Sequence, residues 1–193
     1  MDDQDRPGVR PTPRVPDHPY GRFRDVLRAA DGRTVLDSGP CSNVIVGDCR
    51  RLLAAFLRGA PGTTEGLVGL RVGAGLPAWD TPPGPPAPSP DQSALVDPQP
   101  HLVPRDQLLL DFVDPLSGAV TASPTRTLQI RAVLGPGVPP WPDTASGHTT
   151  GSLREFGLVA RLNGTSVLIN YRTHPAIAKD PASTLERTVW LTF

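Results

Sequence analysis

The chain has 193 residues, a formal net charge of zero and a pI near 6.9. Neutrality with dispersed charge gives no general case for nucleic-acid or anionic-membrane binding. The 25 prolines and 19 glycines exclude an extended helical bundle, because proline is barred from helix interiors and glycine favours turns.

The N-terminal stretch MDDQDRPGVRPTPRVPDHPY is acidic, proline-broken and without an apolar h-region. It reads as a flexible arm over residues 1–20, not a secretory signal, with a single β-rich domain over 21–193. No apolar run approaches a membrane span, so a soluble protein made and assembled in the cytoplasm is expected. Residues 22–39 read as a β-hairpin about Asp31-Gly32, a type I′ turn signal.

Residues 42–59 carry the clearest helical pattern. Ser42 or Asn43 offers an N-cap. Ile45, Cys49, Leu52, Leu53, Phe56 and Leu57 fall on one face, and Gly59 suits a C-cap. Such a helix would cover one face of a sheet. Cys49 on that face is expected as a buried thiol. Two cysteines, Cys41 and Cys49, make no disulfide framework.

Residues 66–75 read as a strand entering a glycine turn. Gly73-Ala74-Gly75 lacks the third glycine and the following helix of a dinucleotide fingerprint. Residues 76–104 hold ten prolines and read as a long extended loop. Trp79 at its start is a candidate anchor, on its own core or on a partner, with the core preferred. Five strand candidates follow: 106–113, 125–134, 153–162, 166–172 and 184–193. Leu128, Ile130, Ala132 and Leu134 share one face, as do Phe156, Leu158, Ala160 and Leu162, and Val189, Leu191 and Phe193. Period two with one wet side predicts antiparallel sheet. Asn163-Gly164 predicts a tight hairpin, a reading preferred over glycosylation of Asn163. A second Gly/Pro loop spans 135–152. The expected fold is α+β and mostly β: a sandwich-like antiparallel sheet, one amphipathic helix packed on it, and long proline-rich loops.

Candidate chemistry centres on INYRTHPAIAKDP, with Asn170, Tyr171, Arg172, His174 and Lys179, the chain's one lysine. No Gly-x-Ser-x-Gly elbow accompanies it. His18 and His148 fall in loop-like segments, and most aspartates adjoin Gly or Pro, where they stabilise turns. Arg154 and Glu155 sit side by side on one strand, and Glu186 and Arg187 on another, so each is expected to pair across the sheet. Pro175 and Pro181 make THPAIAKDP a connection, and residues 170–181 part of a subunit interface. No catalytic, cofactor or metal residues are assigned.

The order SNVIVGDCRRLLAAFLRG, VGLRVGAG, LREFGLVARLNGTSVLINYRTHPAIAKDP, TLERTVWLTF resembles small structural proteins of phage tails and phage-tail-like contractile injection particles. Its layout is similar to the N-terminal domains of tail-collar or tail-fibre proteins. There a helix begins at an Asn, followed by a V-G-x-G strand, a variable loop, an R-E-x-G-L strand and a terminal strand pair. The matching residues are Asn43, Gly73, Gly75, Arg154, Glu155, Gly157 and Leu158. The resemblance covers about residues 35–193. With no fibre shaft after Phe193, it implies a baseplate or fibre-attachment adaptor. Its partners would be tail, baseplate or fibre proteins and copies of itself, with no nucleic acid, membrane or cofactor. The alternative is a stand-alone carbohydrate-binding module using exposed Trp79, Trp141 and Trp190. A third reading is an enzyme built on Lys179 or His174.

Overall fold

A computed structural model describes residues 18–193. The arm expected over 1–20 lies outside the described residues except for its last three. The elements are β1 (Tyr20–Arg28), β2 (Thr34–Asp37), β3 (Cys41–Ile45), α1 (Gly47–Gly59), β4 (Glu65–Gly73), β5 (His101–Pro104) and β6 (Leu108–Val113). After them come β7 (Val120–Thr121), β8 (Thr127–Leu134), β9 (Ser152–Leu162), β10 (Thr165–Leu168), β11 (Asn170–Ala178) and β12 (Thr184–Thr192).

Every strand pair is antiparallel. The path runs β5-β4-β9-β11-β3-β1-β12-β8-β6-β7, with β10 beside β9 and β2 beside β1. The sheet curls on itself. Side chains from both halves, such as Leu70, Phe156 and Leu158 on one and Phe23, Ile130 and Leu191 on the other, meet in one core. The fold is therefore the mostly β, antiparallel α+β arrangement that the periodicity predicts.

In β8, Ile130, Ala132 and Leu134 turn inward while Val133 stays exposed. The Asn163-Gly164 turn joins β9 to β10 with φ of 51° and 80° at its two residues, as type I′ requires. Five expectations are corrected. The turn at Asp31-Gly32 is not type I′. Of the two, Gly32 alone has positive φ, its N–H meets Ala29 O at 2.9 Å, and Ala29 N–H meets Arg33 O at 2.9 Å. The loop is longer, with Gly32 at the left-handed position.

The helix starts at Gly47, not at 42. Ser42 and Asn43 belong to β3, where Asn43 pairs with Gly21, Val44 with Tyr171 and Ile45 with Asn170. No side chain caps α1; the carbonyl of Pro90 accepts the Gly47 N–H at 2.8 Å. Cys49 and Leu52 reach the core, and burial pushes the Cys49 thiol up to about 11. Leu53, Phe56 and Leu57 of the predicted stripe are 37%, 44% and 91% exposed.

THPAIAKDP is not a connection. Residues 170–178 form β11, and Pro175 is tolerated because the β9 ladder breaks between Thr173 and Ile177. Nor is β9 wet on one side. Its main-core face holds Phe156, Leu158 and Ala160. Val159 packs with Val46, Leu95, Leu168 and Tyr171 in a second small core under the proline-rich segment. The long loop itself is shorter than expected, because 101–104 is strand β5.

A buried polar seam under the two long loops as candidate functional site

Antiparallel pairing of β4 with β9 sets Gly73 opposite Glu155, Val72 opposite Phe156 and Arg71 opposite Gly157. The V-G-x-G and R-E-x-G-L stretches, eighty residues apart in sequence, thus become one place. Space explains the glycines. A Cβ at Gly73 would lie 2.8 Å from the Glu155 side chain, and one at Gly157 would lie 2.6 Å from Asn170 O. Gly75 has φ +56°, and a Cβ there would lie 2.5 Å from the Trp79 ring.

Glu155 is fully buried and, among the described residues, has no cationic partner. Its carboxylate accepts from Val96 N at 3.0 Å, Asp97 N at 2.6 Å and Tyr171 Oη at 2.5 Å. Burial first, then the hydrogen bond to Glu155, drives the Tyr171 phenol strongly upward, so it stays a donor. Asp97 continues the seam. It accepts from Ala74 N at 2.8 Å and Gln99 N at 2.8 Å, and its Oδ2 lies 2.8 Å from His148 Nε2. A carboxylate cannot donate, so Nε2–H does. Trp141 stacks on the His148 ring with centroids 3.9 Å apart.

Arg154, on the same strand as Glu155, reaches Asp80 from Nε at 2.8 Å and Ala74 O from Nη1 at 2.9 Å. That hydrogen bond holds the Asp80 carboxyl below its usual range. Thr173 Oγ1 donates to Pro86 O at 2.8 Å. The seam therefore pins the proline-rich segment at Asp80, Pro86, Val96 and Asp97. It pins the second loop through His148.

Ser146, His148 and Asp97 line up like a hydrolytic triad, with Ser146 Oγ 2.7 Å from His148 Nδ1. His148 is only 5% exposed and lies under Trp141. Ser146 belongs to the same turn, where its hydroxyl also lies 3.1 Å from Asp143 O. That geometry closes a turn, with both the hydroxyl and the ring held by groups of the loop itself.

A second cluster lies inside the core. Arg187 and Asp25, opposite each other on β12 and β1, form a two-pronged pair at 2.7 Å each. The Arg187 guanidinium sits 4.0 Å over the Phe156 ring and donates to His174 Nε2 at 3.0 Å. His174 Nδ1 lies 2.8 Å from Pro175 O, which fixes the neutral Nδ1–H tautomer. Burial, then the adjacent Arg187 charge, lowers the His174 pKa from 6.5 to about 4. The unfolded chain then binds more protons than the folded one between those values. Stability from neutral His174 is complete above pH 6.5 and is lost as pH falls to about 4, by about 3 kcal/mol on the usual conversion. Melting temperature should fall less steeply over that window in His174→Gln than in the wild type; equal slopes would contradict the assignment.

Lys179 is buried as well. Its Nζ donates to Gly135 O at 2.9 Å and Ser183 O at 2.8 Å, tying the second loop to the β11–β12 connection. Desolvation lowers its pKa. The sequence-predicted residues thus divide. Gly73, Gly75, Trp79, Arg154, Glu155, Gly157, Asn170 and Tyr171 come together at the seam, where Asn170 Oδ1 accepts from Leu158 N at 2.8 Å. His174 and Arg187 join in the core, while Lys179, Asn43 and Glu186 stand apart.

The expected cross-sheet pairing holds for Arg187 alone. Arg154 pairs with a loop residue, Glu155 with backbone N–H groups and Tyr171, and Glu186 forms no ion pair among the described residues. Asn170, Tyr171, His174 and Lys179 are buried within the chain itself, at most 6% exposed. Trp79 and Trp141 are buried, while Trp190 is half-buried. Sequence reasoning missed Asp25, Asp80, Asp97 and His148. Their partners lie 51 to 162 residues away, and only the aspartates' place beside turns was visible.

Among the described residues no group of three His, Cys, Asp or Glu could hold a metal, and no helix is long and apolar enough to cross a membrane. Comparison of the chain with protein-family models, curated proteins and solved structures returned no match.

Proposed function

We propose that the chain is a structural subunit of a phage tail or phage-tail-like contractile injection particle. It acts as a baseplate or fibre-attachment adaptor through protein–protein contacts, including contacts with its own copies. The observation that carries this reading is the C-terminal half of α1, where Leu53, Phe56 and Leu57 continue the face of the core residues Cys49 and Leu52 but stand exposed. Contiguous exposed apolar surface on a folded domain marks an association surface. The seam supports it: buried polar groups fasten two long loops to the sheet, as a part under mechanical stress requires. The order of sequence motifs supports it too, with one departure, since Asn43 lies in β3 and does not begin the helix.

Ultracentrifugation of lysate from the source cells, with mass spectrometry of the pellet, tests this. The chain should sediment with sheath and tube proteins, and a folded Phe56→Glu, Leu57→Glu variant should stay in the supernatant. A chain that never sediments while particles form would overturn the proposal. The carbohydrate-binding reading keeps one of its three tryptophans, Trp190, and is taken up below. Lys179 and His174, both buried, give no support to the enzyme reading.

A further inference from the structure

The outer face of the β1-β12-β8 part of the sheet carries a groove that none of the clamps uses. Register sets Arg22, Trp190 and Gln129 side by side across its floor, with Tyr20 at its end. By strand order, Pro40 and Pro115 wall it on opposite sides. The Pro115 wall is built firmly. Asp114 Oδ1 accepts from Leu116 N at 2.9 Å and Ser117 N at 2.8 Å, and Asp114 O accepts from Gly118 N at 2.8 Å. The cavity holds about 310 Å³, room for a ligand of one or two rings.

Its chemistry is mixed in a specific way. Trp190 is the chain's one tryptophan outside the buried set. Its Nε1 donates to Gln129 Oε1 at 2.9 Å, which fixes the indole and leaves the Gln129 amide hydrogens to donate. Arg22 is exposed, and among the described residues no carboxylate pairs with it. A fixed aromatic ring beside a guanidinium and an amide donor suits a ring with apolar C–H faces and an anionic substituent.

We propose that this groove binds an acidic saccharide, with the sugar ring against Trp190 and its carboxylate or sulfate on Arg22 and Gln129. The site stands over β1, β12 and β8, apart from the seam over β4, β9 and β11, and does not depend on assembly into a particle.

Titration of the intact protein with trigalacturonate, sialyllactose and a heparin-derived tetrasaccharide, against neutral maltotriose, tests it. Calorimetry gives affinity, and tryptophan emission reports on Trp190, since Trp79 and Trp141 are buried. At least one acidic saccharide should bind, about tenfold more weakly to Trp190→Thr and to Arg22→Gln, and about tenfold more tightly than maltotriose. Arg22→Gln alters an exposed side chain, so its loss of binding with an unchanged melting temperature separates recognition from folding. Binding by none of the three acidic probes, binding unchanged in both variants, or maltotriose binding equally well would each overturn the proposal.

Discussion

Glu155→Ala is expected to lower the unfolding free energy by about 4 kcal/mol, a large share of the roughly 5–15 kcal/mol that holds a domain together. The carboxylate accepts three hydrogen bonds, from Val96 N, Asp97 N and Tyr171 Oη, at a position with no solvent exposure. Truncation leaves three donors facing a dry space, at about 1–3 kcal/mol each, partly offset where loop backbone regains water. Tyr171→Phe removes one donor and leaves the other two bonds in place, so its cost should be nearer 1 kcal/mol. Urea unfolding of the three proteins checks this. Equal losses in the two variants would mean that the phenol, and not the loop backbone, is what Glu155 holds.

The second large effect concerns the pair in the core. Asp25→Ala should cost about 3–5 kcal/mol, because it strands the Arg187 guanidinium at zero exposure with one of its nitrogens already without a partner among the described residues. Asp25→Leu combined with Arg187→Met should come within about 2 kcal/mol of the wild type, since an apolar pair carries no desolvation penalty and methionine packs well on the Phe156 ring, while His174 Nε2 loses its donor. A double variant as unstable as the single would show that the ion pair contributes net stability.

These pairs mark the boundary of what could be read from the chain. Two short-range signals carried through, while those at Asp31-Gly32 and Ser42-Asn43 did not. Asn163-Gly164 needs only two residues to demand its turn, and the alternation in β8 and β12 follows from each strand having one face on the core. The first turn of the helical reading, 42–46, failed because Ile45 falls by chance in phase with Cys49 and Leu52. Pairing of β3 with β1 and β11 outweighs that local pattern. Pro175 hid β11, since nothing local says that a proline will meet a break in its ladder. The seam was half legible. Its glycines, Trp79, Arg154, Glu155 and Tyr171 stood out, but what they do depends on Asp80, Asp97 and His148, brought to them by two long loops. Lys179 and His174, conspicuous as reactive types, turn out to be buried hydrogen-bonding parts of the frame.

The central claim is that the buried polar residues serve to fasten the proline-rich segment to the sheet. Amide hydrogen exchange across residues 94–99 tests it most directly. In the wild type the Val96 and Asp97 amides, held by Glu155, should exchange only with global unfolding, despite lying in a segment without strands. In Glu155→Ala the same amides should exchange by local opening while β8 and β12 stay protected. Rapid exchange at 96–97 in the wild type would contradict the account.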